Sequence, residues 1–249
     1  MPLRIGFDLD GVLADMETEL VHQAELLFGE SMTRALEEPS AGDATPEAAS
    51  GDASGDPPDT PVVERLNMTL RQQRRLWKHV ESIENFWQTL QETEPGIVSR
   101  LHALAAERRW EIIFLTKRPQ SAGATAQIQS QRWLESRGYA LPAVYVVQKS
   151  RGRIADALGL DIVIDDRPEN CLDVVTDSKA RSILVWRDRD KQVPAAARRL
   201  GIGVVTSVSD CLNVLVEIDS DPGQPGVMDR VRRMLGLKPS REVQLSPLT

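Results

Sequence analysis

Cysteine and histidine are scarce in this chain of 249 residues, which contains two of the first and three of the second. Cys171 and Cys211 lie far apart and outside any CxxC spacing, so we expect neither a disulfide framework nor a zinc site. We expect a cytoplasmic protein, since few and scattered cysteines are typical of a reducing compartment. We expect no membrane span, because no apolar run approaches the roughly 20 residues that a span needs. We also expect no secretory signal, because the first residues carry no apolar h-region and no small-residue cleavage site.

Basic and large apolar residues are missing from one segment, residues 37–61. It contains seven acidic residues and no Lys or Arg, and it lacks Leu, Ile, Val and aromatic residues. Such a composition buries too little apolar surface to offset the entropy of ordering, so it predicts a flexible insertion. A tolerated surface loop is favoured over a binding tail. Removing these seven acids from the total of 37 leaves 30, which equals the number of Lys and Arg residues. The balanced remainder argues against nucleic acid as a partner.

Helical patterns lie on both sides of the acidic segment. Apolar spacing predicts a helix over 15–36 and a second over 69–83, with Thr69 as a cap residue. The second helix has basic residues on its outward side, and a solvated face is favoured over a phosphate-binding one. These residues are Arg71, Arg74, Arg75 and Lys78.

From residue 95 onward, short apolar strands alternate with helical segments. Strands are predicted at 3–7, 111–115, 143–147, 161–164, 181–186 and 203–206, and a final core helix at 208–218. Continuous apolar strands separated by helices indicate a parallel sheet covered on both faces, the α/β class. We predict an α/β core formed by 1–14 and 95–218, with a small helical cap at 15–94 inserted after the first strand. A tail follows at 219–249, with a short helix near 227–237.

Polar residues follow the predicted strands at their carboxyl ends. These residues are Asp8, Asp10, Thr116, Lys149, Asp165 and Asp166. In an open parallel sheet such positions face one crevice, where ligands bind. Four carboxylates in a small volume repel one another unless a cation is present, and oxygen ligands suit Mg²⁺. A carboxylate beside Mg²⁺ can form an aspartyl-phosphate. Thr116 and Lys149 would hold the transferring phosphoryl group, and Gly11 allows the backbone to approach it closely.

Four segments carry a resemblance to a known family. DLDGVLAD at 8–15, IIFLT at 112–116, Lys149, and IVIDDRPEN at 162–170 closely resemble, in order, the four motifs of haloacid dehalogenase (HAD) superfamily phosphatases. The match spans the core from about residue 3 to residue 206. The resemblance implies a HAD-like Rossmannoid fold, Mg²⁺ as cofactor, and a small-molecule phosphate ester as substrate.

The resemblance also implies a role for each matching residue. Asp8 would be the nucleophile and a metal ligand. Asp10 would protonate the leaving oxygen and then activate water, while its backbone carbonyl binds the metal. Thr116 and Lys149 would hold the phosphoryl group. Asp165 would be a metal ligand, and Asp166 either a ligand or a partner of metal-bound water. An acid two residues after the nucleophile favours phosphoryl transfer over dehalogenation.

Several neighbouring residues have competing interpretations. Lys117 and Arg153 could take the role given to Lys149, which is favoured because it directly follows the third strand. Lys117 and Arg118 are candidate substrate-binding residues, although Arg118, like Arg167, could equally form a salt bridge with a neighbouring carboxylate. Two further residues have local interpretations: Asp15 is favoured as a helix cap rather than a catalytic group, and Asn170 could satisfy a nearby backbone group.

A narrower resemblance concerns the substrate. FWQTL at 86–90, followed by Pro95-Gly96, and the DDRPEN string at 165–170 are similar to 5'(3')-deoxyribonucleotidases of the pyrimidine nucleotidase C-type family. Phe86 and Trp87 would then stack on a base, or else pack the cap onto the core. The alternatives to a nucleotide are another small phosphorylated metabolite and a nucleic-acid end. A non-catalytic binding protein with the same fold is a further alternative.

Overall fold

The computed structural model describes residues 2–29, 68–187 and 193–220. Six strands form one sheet in which each neighbouring pair runs parallel. The strands are β1 (Arg4–Asp8), β2 (Glu111–Thr116), β3 (Ala143–Val146), β4 (Ile162–Asp165), β5 (Arg181–Val185) and β6 (Gly203–Val205). Their order across the sheet is β3-β2-β1-β4-β5-β6. The α/β class predicted from the alternating pattern is therefore confirmed.

Helices separate the strands along the chain. They are α1 (Met16–Phe28), α2 (Leu70–Ser82), α3 (Ile97–Arg108), α4 (Ala126–Ser136), α5 (Arg151–Leu158), α6 (Pro168–Asp177), α7 (Ala195–Arg199) and α8 (Val208–Ser220), with a short 3₁₀ helix at Phe86–Gln88. Alternate residues of β2 point to opposite faces of the sheet, as a strand requires. Phe114 packs in the cluster that contains α3, α4 and α8, whereas Ile113 and Leu115 pack in the one that contains α5 and α6. Both faces are thus covered.

The segment between β1 and α3 contributes helices but no strand to the sheet in its described residues. Helices α1 and α2 contact each other, and their buried residues Leu20, Leu76 and Val80 belong to the same cluster as the sheet residue Phe7. Asp15 accepts a hydrogen bond from the backbone N–H of Thr18, which confirms its interpretation as the cap of α1. The division into core, cap and tail stays a prediction.

Two chain segments connect this helical region to the sheet, and they pair with each other. Ala14 bridges Glu92 in antiparallel fashion, and the N–H of Thr93 donates to the carbonyl of Leu13 at 2.9 Å. Arg187, just after β5, donates to the carbonyls of Gly11 and Val12, the second at 3.0 Å. These contacts hold the loop that follows Asp10 against the end of β5.

Three sequence predictions concern residues outside the described ranges. They are the acidic insertion at 37–61, the end of the first helix beyond residue 29, and the tail helix near 227–237. None of the helices within the described ranges has the length and apolar character that crossing a membrane requires.

Candidate active site

The carboxyl end of β1 lies at the centre of the site. β1 is paired with β2 on one side and with β4 on the other, with Asp8 in register with Leu115 and Phe7 with Ile164. The chain runs outward from β1 through β2 and β3, then crosses back to β4, so the order reverses beside β1. Such a switch point opens a crevice at the strand ends. Asp8, Thr116 and Asp165, each the last residue of its strand, meet there.

Asp8 is paired with a buried arginine. Arg151 donates a hydrogen bond from Nη2 to Oδ1 of Asp8, and its Nε lies 3.6 Å from Oδ2 of Asp165. Arg151 is 5 % exposed and Asp8 is 7 % exposed. The Nη1 atom of Arg151 is buried and has no hydrogen-bond partner among the described residues. Because buried donors are nearly always satisfied, this open donor indicates a place for an acceptor oxygen.

The role predicted for Lys149, contact with the phosphoryl group, stays a prediction, and the structure adds a second cation beside Asp8. Lys149 is exposed in the loop after β3, whereas Arg151 contacts the nucleophile candidate. The reason is local: the Ser150 hydroxyl caps α5 by accepting from the N–H of Arg153, so Arg151 begins the helix and is buried. Arg153, the alternative weighed from sequence, is also exposed and lies 3.8 Å from Asp177. A helix-cap serine before an arginine was the signal available in the sequence.

Asp165 and Asp166 complete a cluster of acids around Asp8. One oxygen from each of the three carboxylates can be chosen so that all lie within 4.8 Å of one another. Asp165 is fully buried and accepts from the N–H of Arg167 at 2.9 Å and from Nδ2 of Asn170 at 3.0 Å. Asn170 therefore orients a carboxylate rather than satisfying the backbone group that sequence suggested.

The pKa values of these carboxyl groups show that their charges are poorly compensated. Burial raises the pKa of Asp8 well above its usual range, although Arg151 opposes the effect. Burial likewise raises the pKa of Asp165. Burial, together with the neighbouring Asp165, raises the pKa of Asp166 to about 7. A nearby cation would lower all three and favour the charged forms.

The residues present fit a divalent metal ion. Four carboxylates (Asp8, Asp10, Asp165, Asp166) approach one crevice, and two buried guanidinium groups pair with two of them. The carboxylates outnumber these guanidinium groups, so negative charge is left that a divalent cation would reduce. The donors are hard oxygens, the ligand type that Mg²⁺ prefers. The structure thus holds an acidic cluster suited to a metal, while the metal itself and the role of the Asp10 carbonyl stay predictions.

Asp10 is held by a second buried arginine. Arg118 donates from Nη2 to Oδ1 of Asp10 at 2.7 Å, and its Nε lies 3.0 Å from both carboxylate oxygens. The hydroxyl of Thr116 donates to Oδ2 of Asp10 at 3.1 Å. Of the two interpretations of Arg118, the salt bridge is the one that the structure shows. The predicted contact of Arg118 with substrate is corrected to this salt bridge, because each of its side-chain nitrogens already donates to the protein. Lys117 is half-buried beside Thr116, and its substrate contact stays a prediction.

Gly11 lies directly against Asp166. Its φ is +79°, and a Cβ at this position would lie 1.9 Å from Oδ2 of Asp166. The close approach expected at Gly11 therefore exists, but toward a carboxylate of the site. A phosphate contact of the Gly11 backbone stays a prediction.

Phe86 and Trp87 do not face the crevice. Both are completely buried, their rings in edge-on contact with centroids 4.9 Å apart. Trp87 donates from Nε1 to the carbonyl of Pro119 at 2.9 Å, and the guanidinium of Arg118 lies 5.0 Å from its ring centroid. The predicted stacking on a base is corrected to the packing alternative, because no ring surface is left for a ligand.

Comparison with known proteins places the fold. No family model and no curated protein matches the chain. A candidate β-phosphoglucomutase from Thermotoga maritima has a similar structure, with 17 % identity and a TM-score of 0.52 over 87 % of this chain and 99 % of that one. A hydrolase from Pseudomonas syringae (19 % identity, TM-score 0.48) matches over 88 % of this chain and 99 % of that one. A HAD-like family hydrolase from Xanthomonas campestris (14 % identity, TM-score 0.47) matches over 88 % and 96 %.

At these identities the likeness concerns the fold. The parallel six-stranded sheet with helices on both faces matches the HAD-like Rossmannoid architecture, which confirms the fold predicted from the four motifs. The names of these three structures are those of a β-phosphoglucomutase and of two hydrolases, and the narrower nucleotidase assignment stays without support.

Proposed function

We propose that this protein is a Mg²⁺-dependent phosphomonoester hydrolase that acts through an aspartyl-phosphate on Asp8. The observation that carries the proposal is the environment of Asp8. It is a nucleophilic carboxylate at the end of the central strand, beside a buried arginine with an open donor and two further carboxylates. The HAD-like fold supports the reaction class by analogy.

Asp8 provides the attacking oxygen in the first step. Its carboxylate forms a bond to phosphorus while the bond between phosphorus and the ester oxygen breaks, and the electron pair leaves with that oxygen. Asp10 donates a proton to the departing oxygen, which releases the alcohol. Water then attacks the phosphoryl group on Asp8 and gives its proton to Asp10. The bond between Asp8 and phosphorus breaks, which releases inorganic phosphate and restores both carboxyl groups.

Arg151 and Thr116 hold the phosphoryl group in this scheme. The open Nη1 donor of Arg151 is fixed by the bonds of the same guanidinium to Asp8 and Asp165. A donor preorganised in this way stabilises charge on an equatorial phosphoryl oxygen without reorganising during the reaction. Thr116 is buried at the end of β2, and its hydroxyl would make a second contact by exchanging its bond to Oδ2 of Asp10 for one to a phosphoryl oxygen.

Asp8, Asp165 and Asp166 would hold Mg²⁺, with the carbonyl of Asp10 as a further ligand. The bound ion would supply neutralisation of phosphoryl charge and of the repulsion among the carboxylates. Asn170 and the N–H of Arg167 fix the orientation of Asp165 toward that site.

A small phosphate ester is the proposed substrate class. A deoxynucleoside monophosphate stays a prediction that rests on the short motif resemblances, since Phe86 and Trp87 are buried and offer no base platform. A panel of nucleotides and sugar phosphates at equal concentration tests it. Equal rates across the panel would remove the nucleotide from the proposal and leave the reaction class intact.

The reaction class is tested with a generic aryl phosphate. Parent protein with Mg²⁺ should hydrolyse it, excess EDTA should abolish the activity, and Asp8→Asn should lose at least about 10³-fold in kcat with the fold retained by circular dichroism. Asp156→Asn, an exposed aspartate on α5, is the matched control and should keep parent activity. Undiminished hydrolysis by Asp8→Asn contradicts the mechanism, and complete inactivity of the parent favours the non-catalytic alternative.

A further inference from the structure

Arg118 has an environment that differs from that of a substrate-binding residue. It is 2 % exposed, and its Nη1 donates to the hydroxyl of Ser130 at 2.9 Å while Nε and Nη2 bond to Asp10. The guanidinium carbon lies 5.0 Å from the ring centroid of Trp87 and 5.9 Å from that of Trp133. The group is therefore fixed by one hydroxyl, one carboxylate and two indoles.

Such an arrangement requires arginine and fixes its partner. A guanidinium is planar and can donate in two directions while its faces contact aromatic rings, which an ammonium group cannot reproduce. A buried charge without its partner is strongly destabilising, so the carboxylate of Asp10 is held against Arg118. Thr116 donates to the same carboxylate at 3.1 Å. Both oxygens of Asp10 accept from protein donors here, as those of an ionised carboxylate do. In the neutral form that donates a proton, Oδ2 would carry the proton and give up the bond from Thr116, while Oδ1 keeps its bond from Nη2 of Arg118 and so keeps the orientation of the side chain.

We propose that Arg118 is a positioning residue that sets the orientation of Asp10 for proton transfer to the leaving oxygen. Arg118 acts through Asp10 and does not contact the phosphoryl group. This inference rests on the proposed function, since it assigns the proton transfer to Asp10.

The same contacts connect Asp10 to the end of the helical region. Trp87 belongs to the 3₁₀ helix that precedes the return to the sheet, and its backbone N–H donates to Oε1 of Gln129 on α4 at 3.0 Å. Ser130 and Trp133 lie on α4 as well. Arg118 thus contacts Asp10 on one side and both the 3₁₀ helix and α4 on the other.

The orientation of a proton donor matters most when the leaving group needs the proton. The alkoxide of an alkyl phosphate is a poor leaving group, so its departure depends on general acid catalysis. The nitrophenolate of nitrophenyl phosphate is a good leaving group and departs without a proton. General acid–base catalysis typically contributes about 10²–10⁴-fold. We expect Arg118→Met to lower kcat for an alkyl phosphate by about 10–100-fold, and to lower kcat for nitrophenyl phosphate much less, with KM changed by less than about threefold for either.

A double-mutant cycle with Asp10→Asn separates positioning from a scaffold role. If Arg118 acts through Asp10, Arg118→Met should add almost nothing to the loss already caused by Asp10→Asn. Arg137→Met is the matched control, because Arg137 also lies over the Trp133 ring, at 5.8 Å, but donates to the carbonyl of Leu90 and to no residue of the site. It should leave the ratio of the two substrates unchanged.

A second variant guards against misfolding of Arg118→Met. Ser130→Ala removes the partner of Nη1 and leaves the ion pair, so it should shift the substrate ratio in the same direction by a smaller factor. Full additivity in the cycle, an equal loss for both substrates, or a raised KM with unchanged kcat would overturn the inference. If Asp8→Asn or Asp10→Asn leaves hydrolysis unchanged, the proposed function itself fails. If both variants lose activity but Arg118→Met and Asp10→Asn act additively, only the positioning role of Arg118 is contradicted.

Discussion

Arg151 donates a hydrogen bond to Asp8 from one terminal nitrogen, while its other terminal nitrogen is buried without a partner in the described part of the chain. Lys149, two positions earlier in the chain, is exposed. We therefore expect neutralisation of Arg151 to impair catalysis and neutralisation of Lys149 to have little effect.

The first prediction therefore compares Arg151→Met with Lys149→Met. Loss of one preorganised donor to transition-state charge typically costs about 10²–10³-fold in rate, so Arg151→Met should lose at least that much in kcat/KM. Lys149→Met should stay within about threefold of the parent. Arg151→Lys should recover part of the loss, because it restores the charge without the fork. Steady-state kinetics decide, and the reverse ranking would restore Lys149 to the site.

The second prediction concerns Gly11. Gly11→Ala should displace Asp166, because the added Cβ would lie 1.9 Å from its Oδ2, and should weaken Mg²⁺ activation by about tenfold or more. Gly29→Ala is a matched control for backbone strain. Gly29 also has positive φ, +86°, but a Cβ there meets nothing within 4 Å. The Gly29→Ala variant should lose about 1 kcal/mol of stability and keep the Mg²⁺ activation of the parent. Equal metal activation of Gly11→Ala and the parent would contradict this placement of Asp166.

The third prediction concerns metal binding measured without catalysis. Mg²⁺ bound only by the folded state stabilises it by mass action, by about 2.7 kcal/mol at a hundred times Kd. The melting temperature of the parent should rise with Mg²⁺ concentration, and Asp165→Asn should lose this rise. Asp156→Asn should keep it. A rise of the same size in Asp165→Asn places the metal elsewhere.

The fourth prediction concerns Glu94 and the pH dependence of stability. Burial alone would raise the pKa of Glu94, but hydrogen bonds from Ser209 and Val208, together with Arg187, lower it below its usual value of 4.5. A carboxyl group with a lowered folded-state pKa stabilises the fold above its unfolded pKa and loses that contribution as the pH falls. Glu94 accepts from the backbone N–H groups of Val208 and Ser209 at the start of α8, and so caps that helix. Glu94→Gln replaces one accepting oxygen by an NH₂ group and should thus destabilise the protein at neutral pH by about 0.5–2 kcal/mol, the range for a weakened helix cap. The difference from the parent should shrink below about pH 4.5.

Denaturant unfolding at several pH values measures the difference in unfolding free energy between Glu94→Gln and the parent. The buried carboxylates of the site titrate in both proteins, so their contribution cancels in this difference. Glu107→Gln is the control, because its side chain is 69 % exposed and lies 3.7 Å from Arg108. A pH-independent difference for Glu94→Gln would show that its carboxylate charge contributes nothing to capping α8.

The fifth prediction concerns Trp87. Because the side chain is fully buried and its Nε1 bonds to Pro119, Trp87→Ala should lose about 3–5 kcal/mol of stability. A residue that stacks on a substrate base would instead raise KM for nucleotides and leave stability nearly unchanged. Chemical denaturation together with KM for two classes of substrate distinguishes these outcomes.

The strand ends could be predicted from the sequence because each is a local pattern. An apolar run followed by an acid defines Asp8 and Asp165, and the parallel arrangement then brings them to one edge of the sheet. The cation could not be chosen in this way. Only Ser150 separates Lys149 from Arg151, and the start of α5, which determines which one is buried, is among the less certain features of a sequence pattern.

The partners of Asp10 and the aromatic residues depend on tertiary contacts. Arg118 is 108 residues from Asp10, and no local pattern states that the two meet. The same holds for Trp87, whose burial depends on α4 as well as on its own segment. Sequence favoured neither burial nor stacking for that side chain, and packing decided between them.

The central claim is that Asp8 carries the phosphoryl group. Its most direct test is to quench the parent protein in acid during turnover of an aryl phosphate with Mg²⁺ and to analyse the peptide that contains Asp8 by mass spectrometry. A phosphoryl adduct on that peptide, absent from Asp8→Asn and from a sample quenched with EDTA before substrate, is the predicted result. Turnover at the parent rate in Asp8→Asn, with no adduct on this peptide in either protein, would contradict the account.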